Sequence, residues 1–271
     1  MLFRSIGEAR SPESSPVSKG LSLTLFIAAD AANPEDLAST VDSALAQTYK
    51  IDELIILANS KTPKATCLSA QRLAQNQRSV RYAVCEYRDF EKALDLATGD
   101  LISLTKAGDS LVPHAAGSLA SGLAQGNADI AYGDEVIMED FGGRIHKTIL
   151  RSAFCLDHFL NYPVLGRLTA IRKNLLQQTS PFAQCESDEA VNEQLILEAL
   201  HRTRRIVHVP RILLERPKAQ TSPNSRRLPA LSILEFLKSL GFPQATVEPT
   251  ATPGLYSIRY RQARSEEHTS E

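Results

Sequence analysis

From Leu21 to Tyr132 the chain alternates short apolar runs with segments of helical periodicity, and this alternation constrains the fold more than any other feature. Leu21–Ala29, Glu53–Ala58, Val80–Val84, Leu101–Leu104 and Asp129–Tyr132 read as buried strands, continuous in apolar character as strands covered on both faces are. Between them, Asn33-Pro34-Glu35-Asp36 is a helix start, with Asn as cap, Pro at the first helical position and acids in the first turn. Leu37, Val41, Ala44 and Leu45 follow at helical spacing. Further helices are predicted over Lys64–Gln75, over Phe90–Ala97 (closed by Gly99 as a left-handed cap) and from Pro113 to about Gln125. Repeated alternation of this kind implies a right-handed parallel sheet with helices on both faces. In open α/β folds the ligand lies just past the carboxyl ends of strands. The stretch Thr98–His114, a strand running into a tight loop, is therefore the place to look for chemistry.

Composition excludes several classes. The 30 basic and 31 acidic residues of this 271-residue chain give a net charge of -1, so no basic footprint for nucleic acid is present. Local runs such as Arg202-Arg204-Arg205 and Arg226-Arg227 read as solvated helix ends and linker. Cys67, Cys85, Cys155 and Cys185 show no C-x-x-C pair and no histidine at ligand spacing, which points to reduced thiols in the cytoplasm. No histidine pair sits at i, i+4, and neither a P-loop nor a G-x-G-x-x-G dinucleotide motif occurs. The longest apolar stretch, Leu21–Ala32, is broken by Ser22, Thr24 and Asp30, so no membrane span is expected, and the N-terminus lacks a signal-peptide core.

Residues 1–20 form a Ser/Pro-rich arm expected to be disordered, and 21–217 the main domain. In its second half Phe141–Arg144 reads as a turn, Ser152–Leu160 as a short helix and Val164–Arg172 as a strand. Glu186–Arg202 reads as an amphipathic helix, and Ile206–Leu214 as an edge or irregular strand because Pro210 interrupts it. Residues 218–263 are expected to form a linker and a small α-β-β extension that packs on the main domain. Its helix carries Leu231, Leu234, Leu237 and Leu240 and ends at Gly241; its hairpin flanks Thr252-Pro253-Gly254. Arg264–Glu271 resembles the in-frame translation of a sequencing-library adapter and is set aside, which places the natural sequence's departure near Ala263.

Five pieces in register carry a family resemblance. They are Ser39–Tyr49, ending in Gln47-Thr48-Tyr49; Ala93–Leu104, with its A-T-G-D step; Asp109–Ala115; Tyr132-Gly133-Asp134-Glu135; and His208–Leu213. Together they resemble the family 2 glycosyltransferases, inverting enzymes of GT-A fold, of the kind that serves bacterial surface-polysaccharide assembly. The resemblance implies a mostly parallel α/β sheet, a nucleotide-sugar donor, a glycan acceptor and transfer of a hexosyl group. It also implies three acidic motifs: D-D after the second strand, D-x-D for Mg or Mn after the fourth, and a [QE]-D pair opening a later helix to supply the base.

At each position this sequence departs from the pattern. Ala58-Asn59-Ser60 follow the second strand, leaving Asn59 as a hydrogen-bonding candidate for the nucleotide. Lys106-Ala107-Gly108 replace D-x-D, with Asp109 beside them, so metal ligands are missing and no cofactor is expected. Counting back from His208-Val209-Pro210, the base position falls on Asn192-Glu193-Gln194. In one reading the domain has lost catalysis and serves a second, catalytic glycosyltransferase domain. In the other it is active without metal, Lys106 neutralising the diphosphate and Glu193 or Asp134 taking the proton. Asp109, Asp134 and Glu135 read either as remnants of a polar cleft or as loop caps and solvated turn residues.

Overall fold

A computed structural model describes residues 20–139, 144–162, 165–176, 182–218, 228–252 and 255–260. The N-terminal arm to Lys19, most of the Phe141–Arg144 turn, most of the 218–227 linker, the Pro253-Gly254 turn and the 261–271 tail lie outside the described residues. In chain order the elements begin with β1 (Leu23–Ala28), α1 (Pro34–Leu45), β2 (Glu53–Ala58), α2 (Lys64–Asn76), β3 (Val80–Val84), α3 (Phe90–Leu96), β4 (Leu101–Lys106), β5 (Ser110–Leu111) and α4 (Ala115–Gln125). They continue with β6 (Ile130–Met138), β7 (Ile145–Ile149), α5 (Leu156–Asn161), β8 (Thr169–Arg172), α6 (Asp188–Leu200), β9 (Ile206–Pro217), α7 (Ala230–Ser239), β10 (Thr246–Pro249) and β11 (Tyr256–Arg259).

The first half folds as its periodicity predicts. β1 pairs in parallel with β2 and β4, and β2 with β3, so the chain moves outward through β2 and β3 and returns to the other side of β1. That reversal makes the carboxyl ends of β1 and β4 a topological switch point. Successive side chains alternate between two cores. Phe26, Ala28, Ile55 and Leu57 pack on one face; Leu25, Ile27, Leu54 and Ile56 pack on the other. Full burial of each large apolar side chain stabilises the sheet by about 1.5–3 kcal/mol. Asn33 caps α1 by accepting from the Asp36 N–H at 2.7 Å.

Several expectations are corrected. Gly99 is not a left-handed cap, since only Gly108, Gly166 and Gly241 have positive φ among the described glycines. Its role is close approach: a Cβ there would stand 2.6 Å from the Thr24 backbone nitrogen. α4 starts at Ala115 rather than Pro113, whose carbonyl accepts from the Thr48 N–H at 2.9 Å. The sheet is mixed, in the order β3-β2-β1-β4-β8-β6-β9-β5 with β7 on β6. β8 runs antiparallel to both β4 and β6, and β9 parallel to β6.

The Tyr132-Gly133-Asp134-Glu135 segment is not a solvated turn, because β6 continues through it and buries both acids. β9 is irregular, as the interruption by Pro210 suggested, and longer than the segment read from the sequence. It runs 12 residues beside β6, meets β5 at Leu214 and Glu215, and its register with β6 jumps from Gly133↔Val209 to Asp134↔Ile212. Pro210 falls in that bulge, where no ladder N–H is needed. Of the expected strand over Val164–Arg172, Val164 lies outside the described residues and Thr169–Arg172 is regular; the helix at Ser152–Leu160 forms over Leu156–Asn161.

α6 was expected to be amphipathic, yet it is buried nearly all round, from Asp188 to Leu200. The C-terminal extension explains this. Ile233, Phe236 and Leu237 of α7 join the same core as Leu195, Leu197 and Leu200, and Phe236 meets His201 edge-on with centroids 4.9 Å apart. β10 and β11 form the expected hairpin, and the Tyr256 hydroxyl donates to the Leu228 carbonyl at 2.7 Å. The extension covers the outer face of α6 and so completes the body that holds the site.

Candidate functional site

The switch point is lined by side chains from four places. Asp30 follows β1; Lys106 ends β4 and leads through Gly108 (φ 102°) to Asp109; Arg167 precedes β8; Asp188 and Glu189 open α6. Ser187 caps α6, its hydroxyl accepting from the Ala190 N–H at 3.2 Å, which sets the two acids in the first turn. The loop after β4 is pinned from α1. The Gly108 N–H donates to Thr40 Oγ1 at 2.8 Å, and Thr40 Oγ1 donates to the Asp109 carbonyl at 2.7 Å. Gln47, in the Q-T-Y segment, donates to the Val112 carbonyl at 2.8 Å and accepts from the Ala116 N–H at 2.9 Å. The family-like residues after α1 thus fasten the chain on the far side of the loop.

At the centre lies Arg167. Its Nη1 donates to both oxygens of Asp109 at 3.0 Å, its Nη2 donates to Glu189 at 2.7 Å, and its Nε stands 3.6 Å from Asp188 Oδ2. Asp109 also accepts from Thr105 Oγ1 at 2.9 Å and the Lys106 N–H at 3.1 Å. Lys106 Nζ reaches Asp188 at 3.1 Å and Asp30 at 3.5 Å, while the Tyr87 hydroxyl donates to Asp30.

Four carboxylates and two cations are thus interleaved. Burial opposes the charge on Arg167, but Asp109, Asp188 and Glu189 outweigh it and hold its pKa well above the ordinary value. Burial likewise pulls Lys106 down, and Asp188, Asp30 and Glu189 together raise it. Burial acts to raise Asp188, but Arg167 and Lys106 hold it below the usual carboxylate range; burial and the Asp188 charge push Glu189 above it.

A second ion cluster stands behind the first. Glu135, buried in β6, accepts from the Arg167 backbone N–H at 2.6 Å and from Arg151 and Arg216 at 3.1 Å each. Burial would raise its pKa, but Arg216, Arg151 and Arg167 bring it down to about 2. Its neighbour Asp134 accepts from the Arg151 N–H at 2.8 Å and lies 2.8 Å from His208 Nε2.

Of the sequence-predicted residues, the fold brings Lys106 and Asp109 together and scatters the rest. Asn59 folds into its own turn after β2, its side-chain oxygen accepting from the Lys61 N–H at 2.9 Å. Asp134 belongs to the second cluster. Glu193 accepts from the Leu228 N–H at 3.3 Å and, with burial, pushes the neighbouring Cys185 thiol up to about 12, so it faces the extension. The acids that open the helix are Asp188 and Glu189, not Asn192-Glu193-Gln194. The pattern Ser187-Asp188-Glu189, a capping serine before two acids, was the signal that counting back from His208 passed over. Arg167 carried no signal, because Gly166-Arg167 read as part of a strand.

These residues do not fit a divalent ion. Asp109, Asp188 and Glu189 each already give an oxygen to a guanidinium or ammonium hydrogen, so two cations stand where an ion would have to sit. Among the described residues no group of three or more His, Cys, Asp or Glu side chains is arranged to hold a metal.

The curled mixed sheet, flanked by helices and with the ion cluster at its β1/β4 reversal, is an α/β fold of the GT-A glycosyltransferase type. Among solved structures the chain is similar to S. aureus TarS. With TarS 1-349 in complex with UDP-GlcNAc it shares a TM-score of 0.59 at 12% identity, covering 80% of this chain and 65% of that one. With TarS 1-349 in complex with UDP the values are 0.57, 12%, 81% and 64%. With the longer S. aureus TarS structure they are 0.56, 12%, 80% and 38%. The chain thus spans less than two thirds of the length of each, and at this identity the likeness is one of fold. No protein-family profile and no curated protein sequence matches the chain. Among the described residues no helix is long and apolar enough to cross a membrane.

Proposed function

We propose that this chain is a GT-A-type module of nucleotide-sugar-dependent glycan assembly whose own donor site is held shut by internal ion pairs. The observation that carries this reading is that both site cations are already ion-paired within the chain. Lys106 is bonded to Asp188 and Asp30, and Arg167 to Asp109 and Glu189. A donor diphosphate has to displace those carboxylates, and separating one buried pair costs about 3–5 kcal/mol. Residues 21–217 act as the module and 218–263 as its brace, accompanying a second domain that performs the transfer in the cytoplasm. UDP and UDP-GlcNAc, present in the TarS structures, define the ligand class to test. Calorimetry with UDP, GDP and dTDP, with and without Mn²⁺, is expected to give no metal-dependent binding. Micromolar binding that requires Mn²⁺ overturns the proposal.

One observation favours a second reading, an active metal-independent transferase. Asp188 and Glu189 open a helix, as the acid pair of the family 2 glycosyltransferases does, and Glu189 is the cluster's most exposed acid at 24%. Here Lys106 leaves Asp188 for the donor diphosphate. Glu189 then removes the acceptor hydroxyl proton as the sugar–phosphate bond breaks. UDP binding without metal that Lys106→Ala abolishes, with sugar transfer lost in Glu189→Gln, selects this reading.

A further inference from the structure

We propose that Arg167 is the resident cation of this site, a side chain that compensates the charge a divalent ion would otherwise meet, and that removing it uncovers a divalent-cation site. The inference rests on the reading that the native site takes no metal. Its first support is placement. The Arg167 backbone is fixed from behind by its N–H on Glu135, and Gly166 (φ 84°) turns the chain immediately before it, so the guanidinium is delivered into the cluster. Its second is connectivity. One side chain, 3% exposed, joins Asp109 from the β4 loop to Asp188 and Glu189 from α6, as a hard cation does by sharing carboxylates between elements.

The third support is an imperfect fit. Among the described residues, Asp188 Oδ2 and Arg167 Nε are both buried without a hydrogen-bond partner, 3.6 Å apart. The planar fork bonds both oxygens of Asp109 and holds Asp188 Oδ2 only at ion-pair distance. Take Arg167 away, and Asp109, Asp188, Glu189 and Asp30 remain around a single ammonium, that of Lys106. Buried carboxylates in such excess either protonate or recruit a cation, and an all-oxygen set suits Mn²⁺.

The test uses the full chain as wild type, Arg167→Ala and Arg167→Lys. Mn²⁺ is titrated against each and the free ion followed by electron paramagnetic resonance; thermal unfolding is recorded with Mn²⁺ and with chelator. The Arg167→Ala protein is expected to bind one Mn²⁺ at least about tenfold more tightly than wild type. Mn²⁺ should raise its melting temperature and leave that of wild type and Arg167→Lys unmoved. A folded Arg167→Ala that binds no Mn²⁺ overturns the inference. So does an Arg167→Ala that fails to fold with Mn²⁺ present while Arg167→Lys folds. Wild type that binds nucleotide only with Mn²⁺ sinks the reading of the native site instead, so the two failures are distinct.

Discussion

The two ion clusters share one residue and have opposite characters. Around the Arg167 guanidinium, acids are in excess and one of them, Glu189, remains partly exposed. Around Glu135, arginines are in excess and the acid is sealed in β6. Arg167 joins them, giving its backbone N–H to Glu135 and its side chain to Asp109. The difference separates a scaffold from a site. A sealed carboxylate held by two arginines has one stable arrangement. An acid-rich cluster with an exposed member keeps titratable character and can be rearranged by a ligand.

The largest expected effect tests the scaffold. Glu135→Gln removes the buried carboxylate that Arg151 and Arg216 share and should lower stability by about 3–5 kcal/mol in urea denaturation. Its pH signature is specific. The folded pKa of Glu135, about 2, lies below the ordinary 4.5, so the folded state binds fewer protons in that interval. Its stabilisation is present above about pH 4.5, lost as pH falls toward 2, and amounts to about 3 kcal/mol. Glu135→Gln should flatten that acid limb; an unchanged limb would show that Glu135 does not hold the scaffold.

Next comes the joint between the clusters. Gly166→Ala places a Cβ 2.5 Å from Glu135 Oε1 at a φ of 84°, and should cost about 2–3 kcal/mol. Thermal unfolding measures it, and a neutral result would mean the two clusters are not mechanically coupled. Lys106→Met removes the more accessible cation and should cost about 1–2 kcal/mol, reduced by its partial exposure. The smallest effect has the opposite pH sign to that of Glu135. Glu189 binds its proton more tightly in the folded state, so its contribution weakens as pH rises above the ordinary 4.5. Glu189→Gln should remove that decline and shift stability at neutral pH by no more than about 1 kcal/mol; a steeper decline in the variant would refute the assignment.

How much of this was legible depended on the distance between partners. The parallel strands of the first half and the start of α1 were readable because local periodicity and the Asn33-Pro34 cap specify them. The failures were of two kinds. Asp134 and Glu135 read either as remnants of a polar cleft or as turn residues, and neither reading puts them inside a strand. Distant partners make a strand tolerable there: Arg151, Arg167 and Arg216 for Glu135 and His208 for Asp134, 16 to 81 residues away. α6 looked amphipathic because its polar residues find their partners far along the chain: Asp188 at Lys106, Asn192 at the Gly166 carbonyl and Glu193 at the Leu228 N–H, 82, 26 and 35 residues away. Asp188 and Glu189 were within reach, had the capping serine been given more weight than a count from His208.

By itself the sequence determined the α/β class, the strand-to-loop step within Thr98–His114, and the presence of Lys106-Ala107-Gly108 at the end of that strand. Those follow from periodicity, turn chemistry and residue type, which are local. Only the tertiary structure decided which cation meets Asp109, Asp188 and Glu189. Arg167 stands 58 residues from Asp109 and 22 from Glu189, and it reaches both because an antiparallel strand returns beside β4. Charge compensation in a buried site is set by where chains meet in space, and a lone arginine after a glycine carries no trace of that meeting.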